Sequence, residues 1–211
     1  MRNKMIILAI FAVVVAVSTI GGIATVHAKS GPVIQSTCHG AGVSGALKTS
    51  QSYADSAAGR VNKLDAMSKA ERAKAWNQGP EARWFGKYSN SRFKNVRNRV
   101  NKIASHLKDW KLDVRCNWKK TYYGSASPGI KRITLGKSWK DEVKAGERVQ
   151  TFPHEAAHIA GAVLGGEVRN KYGVINAIKR AKNHPGVAVR TAENLGYYVI
   201  CRKGGFSKTC N

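Results

Sequence analysis

The sequence predicts an α+β protein that is mainly helical and carries a small antiparallel sheet. Three observations support this prediction. Apolar residues recur at helical spacing between Phe93 and Leu107, an alternating pattern runs from Leu112 to Leu135, and helical character returns after about Glu147. Helices are therefore expected both before and after one short group of strands.

Helices are predicted throughout the first half of the chain. Residues 42–64 are rich in alanine, and Ser68 with Glu71 forms a capping-box signature that opens a second helix towards Trp76. Residues 78–80 (Gln-Gly-Pro) then break the chain. The clearest amphipathic helix follows from Ser91, where the apolar positions are spaced by three or four residues: Phe93, Val96, Val100, Ile103 and Leu107.

Strands are predicted next, followed by three further helices. Leu112, Val114 and Cys116 alternate with charged residues, and a Ser-Pro-Gly turn at 127–129 precedes an apolar stretch at 130–135. Two or three strands fit this segment. The later helices are expected from about 147 to 164, from about 172 to 182 and from about 187 to 201.

The N-terminus has the pattern of a secretory signal peptide. Arg2 and Lys4 precede an apolar run, and small residues end at Ala28, where cleavage is expected. A membrane anchor is the alternative, but Ser18 and Gly21 dilute the apolar character and no basic block follows at once. The prediction is an exported protein, extracellular or periplasmic, with residues 29–211 forming one domain and no second domain.

Cysteine usage agrees with an oxidising compartment. The four cysteines all lie after residue 28, and an even count favours two disulfides, for which three pairings are open. Cys201 with Cys210 would close a short C-terminal loop, and Cys38 with Cys116 would tie the N-terminal region to the middle of the chain. A zinc site built from cysteine and histidine is less favoured because no C-x-x-C spacing is present.

The charge of the chain is strongly positive. Thirty-six Lys and Arg against 12 Asp and Glu give a formal net charge of +24. Such an excess predicts attraction to anionic material, with an anionic cell-envelope surface as a candidate partner. Basic and aromatic residues do not alternate convincingly along a strand, so no specific nucleic-acid partner is expected, and the protein is expected to be a monomer.

One motif indicates metal chemistry. His154 and His158 lie four residues apart on a segment of helical period, so both imidazoles project from one face towards a single ion. Glu155 is the expected general base for a zinc-activated water. Pro153 lacks the N–H that a helix interior needs, so the helix is expected to start or kink near Thr151.

Several segments, in this order, resemble the deuterolysin and peptidyl-Lys metalloendopeptidase family, the aspzincins, over nearly all of the chain after residue 28. Most of these segments are weak evidence when taken singly, but their order along the chain makes the resemblance specific. They are Cys38 followed by the helix that ends Gln51-Ser52-Tyr53, Arg83-Trp84-Phe85-Gly86-Lys87-Tyr88-Ser89, Ile133-Thr134-Leu135 with Trp139, the His154 motif, Tyr172-Gly173, and Ala192-Glu193-Asn194 with Tyr197.

The resemblance implies a zincin-like fold, one Zn²⁺ ion and hydrolysis of peptide bonds in a protein or peptide substrate. In the family, an aspartate after the second histidine is the third zinc ligand. Counting from His158 places Glu167 at that position, whereas counting back from Tyr172 places Arg169 there, which cannot bind a cation. Glu167 is therefore the expected ligand, and Glu193 is the alternative because a helix-borne glutamate completes the site in gluzincins.

The resemblance also implies roles for two further residues. Tyr172 matches the tyrosine that stabilises the oxyanion, although Tyr122 and Tyr123 remain alternatives. Glu193 matches an aspartate of the family's lysine-selecting pocket and is the expected substrate-binding residue. The second acid of that pocket is replaced by Gly196, which weakens the case for strict lysine specificity.

These observations lead to a main hypothesis and two alternatives. The main hypothesis is a secreted zinc endopeptidase in which His154, His158 and Glu167 hold the metal. One alternative is a basic envelope-binding or toxin-like protein on a zincin scaffold, suggested by the charge and the altered ligand segment. The other is a hydrolase of peptidoglycan cross-links.

Overall fold

The computed structural model describes residues 31–162, 172–202 and 206–210. These residues form four strands and ten α-helices, of which α1, α4, α6 and α9 pack together as the main helical body. None of the described helices combines the length and the apolar character of a membrane-spanning segment. The helices are α1 Val43–Asp65, α2 Lys69–Asn77, α3 Pro80–Phe85, α4 Asn90–Lys108, α5 Lys137–Asp141, α6 Ala145–Ile159, α7 Val174–Asn183, α8 Pro185–Ala188, α9 Ala192–Cys201 and α10 Ser207–Cys210.

The first helices form where the sequence predicts them. The Ser68 side chain accepts from the Glu71 N–H, and the Glu71 carboxylate accepts from the Ser68 N–H, which completes the expected capping box of α2. The apolar stripe of α4 is fully buried against the core, as expected from its period. Its members are Phe93, Val96, Val100, Ile103 and Leu107.

The sheet is small, as predicted, but it is mixed and not wholly antiparallel. Its strands are β1 Val33–Ile34, β2 Asp113–Asn117, β3 Gly124–Ser127 and β4 Arg132–Gly136, in the order β1-β2-β4-β3. Only β3 and β4 pair antiparallel, through the expected turn, whereas β2 lies parallel to both β1 and β4. Alternation of apolar residues identifies strands but not their direction, so it could not predict that β2 pairs parallel to its neighbours.

Two disulfides join distant and local parts of the chain. Cys38 is bonded to Cys116, which links the segment before α1 to β2, and Cys201 is bonded to Cys210 across the C-terminal turn. These are the two bridges described above, one of the three pairings that the sequence allows. The signal-peptide prediction for residues 1–28 lies outside the described residues.

Helix α6 begins at Ala145, close to the expected position 147, and runs through Pro153 to Ile159, so it does not start near Thr151. A proline at position 153 leaves the carbonyl of Val149 without its helical donor. The hydroxyl of Ser50 on α1 lies 2.8 Å from that oxygen in a fully buried position. A hydrogen bond from a neighbouring helix thus replaces the missing N–H, and the helix continues through the position where a start was one of the two expectations.

Helix α9 is held in the core by its own polar side chains. The amide of Asn194 donates to the carbonyls of Trp84 and Ala177, each at 2.8 Å, so it ties α9 to α3 and α7. The hydroxyl of Tyr198 donates to the buried carboxylate of Glu81 at 2.9 Å. Because α9 is fixed from this side, its residue Glu193 faces α6.

Candidate functional site

The two histidines of α6 point towards a common focus. Their Nε2 atoms are 3.3 Å apart, as expected for residues one helical turn apart. The Nδ1 atom of His158 lies 3.3 Å from the carbonyl oxygen of Ala162, just beyond the end of the helix. A proton on Nδ1 donating to that carbonyl leaves the Nε2 lone pair of His158 free to bind a metal ion.

The distance between the facing nitrogens fits a shared zinc ion. Two nitrogens bound at about 2.0–2.1 Å to a tetrahedral zinc ion lie about 3.3–3.4 Å apart. His154 and His158 therefore supply two donors of suitable type and separation. Among the described residues, no group of three or more His, Cys, Asp or Glu side chains is arranged to hold a metal ion. Glu167, the expected third ligand, lies outside the described residues.

Glu193 contacts His154 on the side of the ring away from His158. Its Oε2 lies 2.9 Å from His154 Nδ1, and its Oε1 accepts a hydrogen bond from the backbone N–H of Gly173. Burial opposes ionisation of Glu193, but the hydrogen bond from His154 lowers the pKa of this carboxyl below its usual value. The carboxylate therefore stays ionised against His154 Nδ1, the nitrogen that does not face the other histidine.

The charges around the two rings act in opposite directions. Burial disfavours a charge on His154, but the hydrogen bond to Glu193 and the negative charges of Glu155 and Glu193 together raise the pKa of His154. Burial and repulsion from His154 lower the pKa of His158 to about 4. The surroundings therefore favour the protonated form of His154 and the neutral form of His158.

Glu155 lies beside the histidines in a setting that suits a base. Its side chain packs against Gly124 of the edge strand β3, where a Cβ atom would come within 2.8 Å of Glu155 Oε1. The residue is 5% exposed, and burial raises the pKa of its carboxyl above the usual value. A raised pKa makes a glutamate a stronger base, which is the property that a proton acceptor in catalysis needs.

A cavity of about 600 Å³ opens in front of these residues. Its lining includes all the described candidate site residues except His158: His154, Glu155, Tyr172 and Glu193, with the alternatives Tyr122 and Tyr123. The ring of Tyr172 is 6.2 Å from that of His154, and this tyrosine is 68% exposed. The hydroxyl of Tyr123 instead donates to Glu142, which raises the pKa of Tyr123 to about 12.

The cavity also contains residues that the sequence analysis missed. Glu147 lies seven residues before His154, two helical turns away on the same face of α6, and it accepts a hydrogen bond from Tyr197. Burial raises the pKa of Glu147 above its usual value. Gln150, one turn before His154, is buried and its Nε2 has no hydrogen-bond partner. Helical spacing counted backwards from His154 would have found both residues.

Gly196 stands where the resemblance places a second acid. A Cβ atom at this position would lie 2.7 Å from Gln150 Nε2 and 3.3 Å from His154 Cβ. Helices α6 and α9 therefore approach closely here. A side chain at this position would collide with Gln150.

The mainly helical body, the four-stranded sheet and the paired histidines define a zincin-like α+β fold. A zinc peptidase from Grifola frondosa has a similar structure, with a TM-score of 0.57, 20% sequence identity, and coverage of 78% of this chain and 95% of that chain. That peptidase is a deuterolysin-family aspzincin, so the fold implied by the resemblance is confirmed. No protein-family model matches the sequence, and no curated protein matches it.

Proposed function

We propose that this protein is a secreted zinc-dependent endopeptidase. The observation that carries the proposal is the 3.3 Å separation of two histidine Nε2 atoms beside a buried glutamate, at the wall of a cavity that can accept a peptide. His154 and His158 would hold the ion together with Glu167. The zinc peptidase with a similar fold supports the same activity.

The reaction needs one base and one donor from the protein. A bound zinc ion acidifies water and polarises a carbonyl group. Glu155 takes a proton from the attacking water while the water oxygen bonds to the scissile carbon. Glu155 then gives that proton to the leaving amine as the C–N bond breaks. Tyr172 donates a hydrogen bond to the negative oxygen that develops on the carbonyl.

The proposed substrate is a protein or peptide. Which residues it prefers at the cleavage site depends in part on whether Glu193 contacts the substrate. A substrate-binding role is the expectation from the resemblance. Both oxygens of Glu193 already accept hydrogen bonds from the protein, so its contact with a substrate would be indirect. Export is part of the proposal, because the two disulfides are typical of proteins in an oxidising compartment.

The activity is tested with a substitution that keeps the shape of the base. Glu155→Gln should lower kcat about 10²–10⁴-fold, because the amide cannot accept the proton. The zinc content, measured by mass spectrometry, should remain that of the original protein. Removal of zinc by a chelator should abolish peptidase activity, and adding zinc should restore it.

Glu142→Gln is the matched control for this experiment. It removes another carboxylate from the lining of the same cavity, one that accepts from Tyr123 and does not contact the histidines. This variant should keep zinc and most of its activity. Full activity of Glu155→Gln, or activity that survives complete removal of zinc, would reject the proposed function.

A further inference from the structure

The contacts of Glu193 indicate a role different from substrate binding. Its side chain is 9% exposed, and its two oxygens are directed at two protein donors, His154 Nδ1 and the N–H of Gly173. A carboxylate engaged in this way is costly to bury unless both contacts are kept. Glu193 is therefore part of the fixed lining of the cavity, on the side of His154 that faces away from His158.

The position of Glu193 in its helix favours the ionised form. It is the second residue of α9, where the N-terminal end of the helix dipole stabilises a negative charge. The hydrogen bonds of the neighbouring Asn194 to Trp84 and Ala177 fix this end of the helix. Glu193 consequently approaches His154 from a rigid element and not from a loop.

The contact determines which nitrogen of His154 is free. A carboxylate at Nδ1 requires a proton there, and the remaining lone pair is then on Nε2, which faces His158. His158 is oriented differently, because its Nδ1 contacts the carbonyl of Ala162. An ionised carboxylate is a stronger acceptor than a neutral carbonyl, so His154 gains more basicity from its partner than His158 does.

The second contact of Glu193 reaches the segment that carries Tyr172. Gly173 has φ +94°, in the region that favours glycine, and it is the N-cap of α7. Its N–H donates to Glu193, while the preceding Tyr172 places its ring 6.2 Å from the ring of His154. One carboxylate thus joins the histidine of the metal site to the segment that carries the expected oxyanion donor.

We propose that Glu193 is a positioning residue, which fixes the tautomer and orientation of His154 for metal binding and holds Tyr172 beside it through Gly173. The proposal rests on the proposed zinc site. It assigns Glu193 to the support of a ligand, and neither to metal coordination nor to direct contact with a substrate side chain.

The test is Glu193→Gln, which keeps the size of the side chain. The amide oxygen can accept from only one of the two donors, and the NH2 group then opposes the other. Zinc affinity, measured by competition with a chromogenic chelator, should fall about 10–100-fold, the usual effect of losing such a partner. Glu147→Gln is the matched control, because it removes a carboxylate from the same cavity that contacts Tyr197 and not His154.

A spectroscopic readout separates positioning from a general loss of structure. In the zinc-loaded protein, the Nδ1 proton of His154 should resonate far downfield and move upfield in Glu193→Gln. The corresponding proton of His158, which contacts Ala162, should stay in place and serves as an internal control. If Glu193→Gln does not fold, Glu193→Asp keeps the charge but shortens the reach, and it should move the same His154 signal.

The outcomes distinguish the two proposals. Unchanged zinc affinity together with an unmoved His154 signal in Glu193→Gln would overturn the positioning role alone. Failure of the unsubstituted protein to bind zinc, or zinc binding that survives His154→Ala, would instead remove the proposed function. Equal losses of affinity in Glu193→Gln and Glu147→Gln would show a general effect of cavity charge and would also overturn the positioning role.

Discussion

Ser50 and Pro153 illustrate how one hydrogen bond decides the course of a helix. The Ser50 hydroxyl lies 2.8 Å from the carbonyl of Val149, the group that Pro153 leaves without a helical donor. Without Ser50 this oxygen would lose the donor that replaces the missing N–H, and an unsatisfied buried carbonyl costs about 1–3 kcal/mol. The start expected near Thr151 was wrong, because sequence reasoning cannot supply a donor from another helix.

Ser50→Ala should lower the free energy of unfolding by about 1–3 kcal/mol, since it removes the donor and leaves the Val149 carbonyl buried. Chemical denaturation measures this difference. Thr49→Ala is the control, because the neighbouring Thr49 hydroxyl donates to Gly45 at an exposed position of the same helix. It should have a much smaller effect.

A double-mutant cycle separates the hydrogen bond from Ser50 to Val149, which matters because of Pro153, from the other contributions of Ser50. Pro153→Ala restores an N–H that can donate to Val149, so Ser50→Ala should cost less in that background. The same loss in both backgrounds would contradict the explanation. In that case the second acceptor near Ser50, the carbonyl of Ala46 at 2.7 Å, would account for its contribution.

Among the elements, those with a strong local period were predictable. Helix α4 follows its apolar spacing, and α2 begins at its capping box, because both signals are local in sequence. The parallel pairing of β2 with β1 and β4 was not predictable, because strand direction depends on how the chain returns from outside the sheet. Predicting an antiparallel sheet extended the local β3–β4 hairpin to all the strands.

The candidate site likewise contains residues that the sequence predicts and contacts that it does not. His154, Glu155 and His158 follow from a five-residue motif, and the structure brings the two rings together as that spacing predicts. Glu193 was placed near the site, but its partners could not be inferred because they come from α6 and from the start of α7. Long-range partners of this kind are fixed by helix packing, which a single sequence does not reveal.

The two disulfides are expected to contribute unequally because their loops differ in length. Cys38–Cys116 joins residues 78 positions apart, and Cys201–Cys210 joins residues nine apart. Restricting the unfolded chain is worth about 4–5 kcal/mol for the longer loop and about 2–3 kcal/mol for the shorter one. Replacing each pair by serines and measuring thermal unfolding should therefore show the larger loss for Cys38 and Cys116. A larger loss for Cys201 and Cys210 would contradict this order.

At the scale of the whole molecule, charge is distributed unevenly. Of the 12 Asp and Glu in the chain, four line the cavity, where Lys144 is the only Lys or Arg among the described lining residues. With 36 Lys and Arg in total, one-to-one pairing would leave two thirds of the cations without a partner. The cavity is thus anionic in a strongly cationic protein. The acids in its lining are Glu142, Glu147, Glu155 and Glu193.

The cationic surface and the acidic cavity attract different groups. The excess positive charge dominates the field outside the protein and attracts anionic surfaces, whereas the four carboxylates of the cavity are outnumbered there and act mainly on groups that enter the cavity. Most of them also accept hydrogen bonds from protein groups, such as Tyr197 for Glu147. The net charge therefore favours adsorption to an anionic envelope as a property independent of catalysis.

We predict that the protein binds vesicles containing anionic lipid and that this binding weakens at least about tenfold as the salt concentration rises from 50 to 300 mM, because screening shortens the reach of its charge. Co-sedimentation measures the bound fraction, and neutral vesicles are the control. Lys94 and Lys102 lie on the exposed side of α4, so replacing both by glutamate should reduce binding further. Because the attraction arises from net charge, Glu155→Gln and removal of zinc should leave it unchanged. Binding that is insensitive to salt, or that requires zinc, would mean that the active site and not the surface charge carries the interaction.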